Sequence, residues 1–349
     1  MVQWRPVSRT GGAGASGPAR RLAGGQNQPR SMARVAIGAE GWSMPEHLVG
    51  AIDIGGTKTA MGLVHPDGTV VAHARWPTPP RPAPAELVRW VVDRWGEMRQ
   101  AAGVAAIEGI GLSAPGPVDP GGTLIHRIFD WGWRDVPLAA LLAGATGLRV
   151  RMDNDVNCCA VAEGRWGAAV GRGDFLWMQV STGVGGGLIQ GGRLYAGAHG
   201  QAGEIGHIRI QRRGAPCTCG QRGCLETLIS GPAIVRRYRA AGAAAEGAEE
   251  VFAAADAGDP RARRLLRSVA VDLGTALVTA ISLLDPDLVV LGGGVMAGFA
   301  ELLPVTRAVV EARATASGAP GVPVVLTRLG AHAALLGAAA LALAEDRQP

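Results

Sequence analysis

The sequence predicts an α/β protein of two lobes, each built on a mixed sheet, and three observations lead there. At 349 residues the chain suits about two domains of roughly 100–200 residues each. Apolar strand-like runs arrive in hairpins, pass into a crossover helix, and recur later as a second similar set. Glycine-rich loops at 55–56, 183–187 and 292–294 each leave such a run.

Order begins with LVGAIDI (48–54), an uninterrupted apolar run that reads as a buried strand. Gly55-Gly56 turns the chain, and TAMGLV (59–64) and TVVAHAR (69–75) continue as strands split by Pro66-Asp67-Gly68. Leu87, Trp90, Val91 and Trp95 recur at helical spacing within 84–102. IEGIGLSA (107–114) is a further strand, stopped by Pro115-Gly116-Pro117. A helix is expected from near Val156, and strand-like segments around 175–190. Helical patterns over 260–284 and 298–314 flank the strand DLVVL (287–291), and an alanine-rich helix closes the chain at 331–344.

Hydrophobic residues make up 48% and charged residues 18%, which excludes global disorder and a disulfide-stapled mini-domain. No run approaches the roughly 20 uncharged apolar residues of a membrane span, so no membrane association is expected. The pI of 9.3 invites a nucleic-acid reading, but residues 1–46 alone carry +4 of the total +5. That stretch is rich in Gly, Ala, Arg and Pro without apolar periodicity, so a disordered extension is expected over 1–46; a nucleic-acid-binding arm is the rival reading. Five cysteines are too few for a secreted framework, and three of them fall within eight residues, which points to metal chemistry in the reducing cytoplasm.

Four constellations carry chemistry. In Asp53-Ile54-Gly55-Gly56-Thr57-Lys58 the glycines let backbone N–H groups approach an anion, the carboxylate suits a hydrated Mg²⁺, and Thr57 and Lys58 suit phosphate oxygens. Lys58 is the only lysine of the chain, and the order Thr-Lys before a strand excludes a Walker loop. A second loop, Ser181-Thr182-Gly183-Val184-Gly185, and a third, Gly292-Gly293-Gly294, complete what reads as a nucleotide clamp; for each loop alone, an ordinary turn is the competing explanation. Asp153-Asn154-Asp155-Val156-Asn157 marks a strand-to-helix junction with more polar acceptors than a helix cap requires. A carboxylate there suits proton abstraction from a substrate hydroxyl.

The fourth is His207-x9-Cys217-x-Cys219-x4-Cys224, three thiolates and one imidazole in a turn-rich loop, which fits closed tetrahedral zinc. Glu204 and Glu226 bracket this loop and are candidate acceptors for the hydroxyls of a polyol. Cys158 and Cys159 read as small buried hydrophobes on the helix after the acidic junction.

DIGGTK, the glycine loop followed by GGRLYAGAHGQAGEIGH, and CxCGxxGCxE, in that order over about 48–345, resemble the ROK family of sugar kinases and related repressors. The resemblance implies the two-domain actin-like ATPase (ribonuclease H-like) fold with an interdomain cleft, lobes at 47–153 and 154–330, and the last helix, about 331–345, returned to the first lobe. It implies ATP in the cleft, Mg²⁺ at the phosphates, structural Zn²⁺ in the loop 207–226, and a homodimer or homotetramer. Position by position, Asp155 matches the general base, and Asn154, Glu204, His207 and Glu226 the sugar contacts. Asp53, Gly55, Gly56, Thr57 and Lys58 match the first phosphate loop; Thr182, Gly183 and Gly185 match the second, and Gly292, Gly293 and Gly294 the adenosine loop.

Two positions depart from the family pattern. Asp130 replaces a sugar-contacting amide, which removes two donors and bears on the choice of sugar. Ser181 stands where the second phosphate loop usually carries glycine. The expected function is an ATP-dependent kinase acting on the primary hydroxyl of a hexose, glucose first. An amino or N-acetyl hexose and a glucose-like C7-cyclitol are the alternatives. A sugar-responsive repressor is the rival class, but the leader shows no amphipathic helices of a DNA-binding domain.

Overall fold

The computed structural model describes residues 36–37, 47–314 and 321–344. The expected leader, 1–46, lies outside them except for β1 (Ala36–Ile37), which pairs antiparallel with His73 and Ala72.

The first half runs β2 (Val49–Ile54), β3 (Lys58–Val64), β4 (Val70–Pro77), α1 (Pro84–Ala102), β5 (Ile110–Ala114), β6 (Ile125–Ile128), β7 (Trp133–Val136), α2 (Leu138–Thr146), β8 (Val150–Asn154) and α3 (Asp155–Trp166). The second half runs β9 (Phe175–Val180), β10 (Val184–Gln190), β11 (Arg193–Leu194), α4 (Glu226–Ile229), α5 (Gly231–Ala240), α6 (Ala248–Asp256), α7 (Pro260–Leu284), β12 (Leu288–Gly292), α8 (Leu303–Ala314), β13 (Val324–Leu326) and α9 (Ala333–Leu343).

The sheets repeat one plan. In the first, the order is β1-β4-β3-β2-β5-β8, antiparallel from β4 to β2 and parallel from β2 to β8. In the second it is β11-β10-β9-β12-β13, with the same change of sense at its central strand β9. Parallel strands inside a sheet are buried on both faces, as β2, β5, β9 and β12 are. Helices α1 and α2 cover one face of the first sheet, whereas α5 to α8 cover the outer face of the second. Between the sheets lie α3 and α9, which cross each other.

Close approach of α9 to α3 and to β5 depends on missing side chains. A Cβ on Gly337 would stand 2.0 Å from the Cys158 carbonyl oxygen, and one on Gly111 1.6 Å from that of Ala338. The C-terminal helix thus packs on β2 and β5, far from its sequence neighbours.

Some expectations need correction. The helix expected over 298–314 begins at Leu303, with Pro304 in its first turn and a 3₁₀ turn over Gly294–Gly298 ahead of it. The strand expected over 107–114 begins only at Ile110. Helix α7 has the length and mean hydropathy, 1.5, of a membrane-crossing helix, although Arg267 and Asp272 interrupt it and its longest uncharged stretch is 273–284. Half of that window is buried, and its apolar face belongs to the core of the second lobe.

Candidate active site

The acidic junction sits where β8 passes into α3. Asn154 caps the helix, its Oδ1 accepting the Asn157 N–H at 2.8 Å. Asp153 is buried and its Oδ1 accepts both the Asn154 N–H and the Asn157 amide, each at 2.8 Å. Most of the polar surplus noted in the sequence therefore builds the junction. Asp155 is different: half-buried, it lines a cavity of about 330 Å³, and its Oδ2 accepts Gln179 Nε2 at 3.1 Å. Burial raises its carboxyl above the usual range, opposed by hydrogen bonds from Gln179 and the Val156 backbone.

The same cavity is lined by Asn154, Glu204, His207 and Glu226 and by Gly183 and Gly185 of the second glycine loop. Those residues come from β8, the β9–β10 turn, the 3₁₀ turn at Ile205–His207 and α4. The Glu226 carboxylate accepts the Val184 N–H at 3.1 Å, so the start of α4 is tied to that loop. Asp53, next to last on β2, accepts Ser113 Oγ at 2.7 Å. Burial raises its carboxyl to about 6; the Ser113 bond opposes this and the charge of Asp155 adds to it.

Gly55 to Lys58 form a tight hairpin, with the Gly55 N–H donating to the Lys58 carbonyl at 2.9 Å and Thr78 Oγ1 donating to the Gly55 carbonyl at 2.8 Å. Gly56, Thr57 and Lys58 are exposed at its tip and lie outside the cavity walls. A second cavity of about 930 Å³ is lined by Ser181, Thr182, Arg236, Arg239, Phe252 and Gly294, among others. Gly293 adopts φ +94°, and a Cβ on Gly292 would overlap the Trp177 ring at 1.9 Å, so this turn tolerates only glycine. Ser181 joins the loops, its N–H donating to Gly183 and its carbonyl accepting from Gly231, both at 2.8 Å.

The cysteine loop assembles as the spacing predicts. One ligand atom from each of His207, Cys217, Cys219 and Cys224 lies within 4.8 Å of every other. His207 Nδ1 stands 3.6 Å from Cys217 Sγ, and Cys219 Sγ 3.7 Å from Cys224 Sγ. Ligands at tetrahedral zinc, with Zn–S about 2.3 Å and Zn–N about 2.0–2.1 Å, stand roughly 3.6–3.8 Å apart, so the donor set fits zinc. The other ring nitrogen of His207 lies 3.7 Å from Glu204 Oε2.

Asp130 is not brought into the cavity. It is exposed in the 3₁₀ turn Phe129–Trp131 between β6 and β7. The hairpin nevertheless abuts the cavity wall, since a Cβ on Gly116 would stand 2.6 Å from the Arg127 carbonyl oxygen. Sequence reasoning missed Gln179; its one signal was a polar residue interrupting the apolar strand FLWMQV.

Two sheets built on one plan, and Asp155 and Glu226 beside the second glycine loop at a polar cavity, define a two-lobed sugar kinase of the actin–hexokinase class. The ROK family profile matches residues 49–345, and the chain belongs to the ROK family. It is 34% identical over 309 residues to a glucokinase of Halalkalibacterium halodurans, covering 82% of this chain and 92% of that one. The ROK hexokinase of Thermus thermophilus superposes with a TM-score of 0.72 at 36% identity, covering 84% of this chain and 97% of that one. A ROK family glucokinase of Streptomyces griseus, solved with glucose and AMPPNP, gives 0.73 at 32% identity, covering 84% and 98%.

Proposed function

We propose that this kinase transfers the γ-phosphoryl group of ATP to the primary hydroxyl of a hexose, with glucose as the first candidate. The observation that carries this reading is Asp155, half-buried in a cavity it shares with the second glycine loop on one side and Glu204, His207 and Glu226 on the other. Asp155 takes the proton of the attacking hydroxyl, a role that contributes about 10²–10⁴-fold in rate. Asn154, Glu204, His207 and Glu226 hold the remaining hydroxyls. Lys58 and the N–H groups of the glycine turns meet the phosphates, and the nucleotide base lies in the larger cavity beside Gly294. Bound Mg²⁺, held near Asp53, supplies charge neutralisation at the phosphates. Zinc in the loop 207–226 keeps His207 and Glu226 in place.

The names of the relatives favour glucose. A second reading, an amino or N-acetyl hexose or a glucose-like C7-cyclitol, is favoured by Asp130 on the hairpin against the cavity wall. The enzyme works as a homodimer or homotetramer in the cytoplasm, without nucleic acid or membrane partners. The deciding experiment is ADP release with Mg-ATP across a panel of aldohexoses, amino sugars and cyclitols, with Asp155→Asn alongside. Turnover of none of them, or near-normal turnover by the variant, overturns the reading.

A further inference from the structure

Gln179 is the one side chain bonded to Asp155 that has been given no role so far. It ends the α3-facing row of β9 after Phe175 and Trp177, both buried. Its rung neighbours are Gly185 on β10 and Gly292 on β12, so neither adjoining strand places a side chain beside it. Nε2 donates to Asp155 Oδ2 at 3.1 Å, and Oε1 accepts from Cys159 Sγ at 3.5 Å.

These two contacts determine which way the amide points. A carboxamide offers donors at one end and an acceptor at the other, and an ionised carboxylate only accepts. The NH₂ must therefore face Asp155, and the remaining oxygen needs a donor. Cys159 supplies it, because burial pushes its thiol well above the usual range and keeps the proton on sulfur.

The internal repeat of the sheets gives this position a second meaning. Asp53 is the next-to-last residue of β2 and pairs with Ala60 and Ser113; Gln179 is the next-to-last of β9 and pairs with Gly185 and Gly292. The two occupy matching places on the central strands. A second carboxylate here would repel Asp155, whereas a carboxamide donates a hydrogen bond and adds no charge.

We propose that Gln179, oriented by Cys159, is the positioning residue of the reaction: it anchors Oδ2 of Asp155 and so fixes the carboxylate against the hydroxyl being phosphorylated. The inference rests on Asp155 acting as the base. The other titratable groups around that carboxyl are Asp53 from β2, Cys158 and Cys159 on α3, Glu204 and His207 beside the cysteine loop, and Glu226 from α4. A hydrogen bond to the charged form favours ionisation, so its loss moves the acid limb of the rate profile upward.

The test uses the full-length enzyme with Mg-ATP and its best acceptor from the panel. Gln179→Leu is expected to lower kcat about 10–100-fold, to leave KM for the acceptor within about threefold, and to move the acid limb of kcat against pH up by about one unit. Gln179→Glu, nearly identical in shape, is expected to lose more and shift further. Cys159→Ala is expected to lose several-fold, and Cys159→Ser, which keeps a donor, to recover most of that loss. An unchanged kcat and acid limb in both Gln179 variants overturns the proposal, as does a change confined to KM for ATP. Asp155→Asn measured beside them separates the two claims: if it is inactive while Gln179→Glu behaves as wild type, the positioning role alone fails. If Asp155→Asn keeps full rate, the base assignment fails with it.

Discussion

The Glu226 carboxylate accepts the backbone N–H of Val184 at 3.1 Å, which ties the first residue of α4 to the second glycine loop. Glu226 follows Cys224 by two residues, so the cysteine loop and the glycine loop share one rigid joint. A carboxylate bonded in this way holds the cysteine-loop side and the glycine-loop side of the cavity in register. Interactions that set such distances act on rate as much as on affinity.

Zinc loss is therefore expected to reach both halves of the site. The purified enzyme should carry one zinc per chain by elemental analysis. Strong chelation, or Cys219→Ser, should lower the melting temperature by several degrees and raise KM for the acceptor more than KM for ATP. Metal-free protein with unchanged melting and KM would count against a structural zinc.

Asp53 gives a stability effect with a defined sign. Its folded carboxyl is raised from 3.8 to about 6, so the protonated form is the one folding favours. The associated stability is complete below the unfolded value and is lost as pH rises through about 6. Asp53→Asn, which keeps an acceptor for Ser113, should raise the melting temperature of the ligand-free protein at pH 7.5 and have little effect near pH 4. The same variant should lose most of its turnover. Melting curves at the two pH values check the first part and Mg-ATP assays the second.

The packing of α9 on β5 and α3 should not tolerate a single methyl group. Gly111→Ala drives a Cβ against the Ala338 carbonyl, and Gly337→Ala drives one against that of Cys158. Overpacking of this kind costs typically 1–3 kcal/mol and occasionally more. Denaturant midpoints should fall accordingly in both variants, whereas Gly144→Ala, with open space around it, should shift the midpoint little.

Asp130 is expected to act on the choice of acceptor. Asp130→Asn restores an amide on the hairpin beside Gly116, and should raise kcat/KM for glucose relative to amino sugars. An unchanged ratio across the acceptor panel would remove Asp130 from substrate recognition.

Sequence alone pointed to the family and the fold class and picked out the four donors that the fold brings together. The reason is local: turns, strands and thiolate ligands are written in short spacings, so Asp53 to Lys58, Gly183 to Gly187 and Cys217 to Cys224 could be read where they stand. Chain neighbours could not show that Asn154 and Asp153 accept the Asn157 N–H and amide while Asp155 meets Gln179 at the cavity wall, because this depends on which donors each carboxylate or amide reaches in the folded chain. Gln179 was legible only as a polar break in an apolar strand, since its meaning comes from Asp155 and Cys159, 24 and 20 residues away. Likewise, the residues of α9 by themselves read only as an apolar helix, and its return to the first lobe came from the family resemblance; glycines at 111 and 337 admit it between the sheets only once distant backbones meet. Contacts between remote segments are decided by packing and hydrogen-bond geometry in the folded state, and no spacing along the chain encodes them.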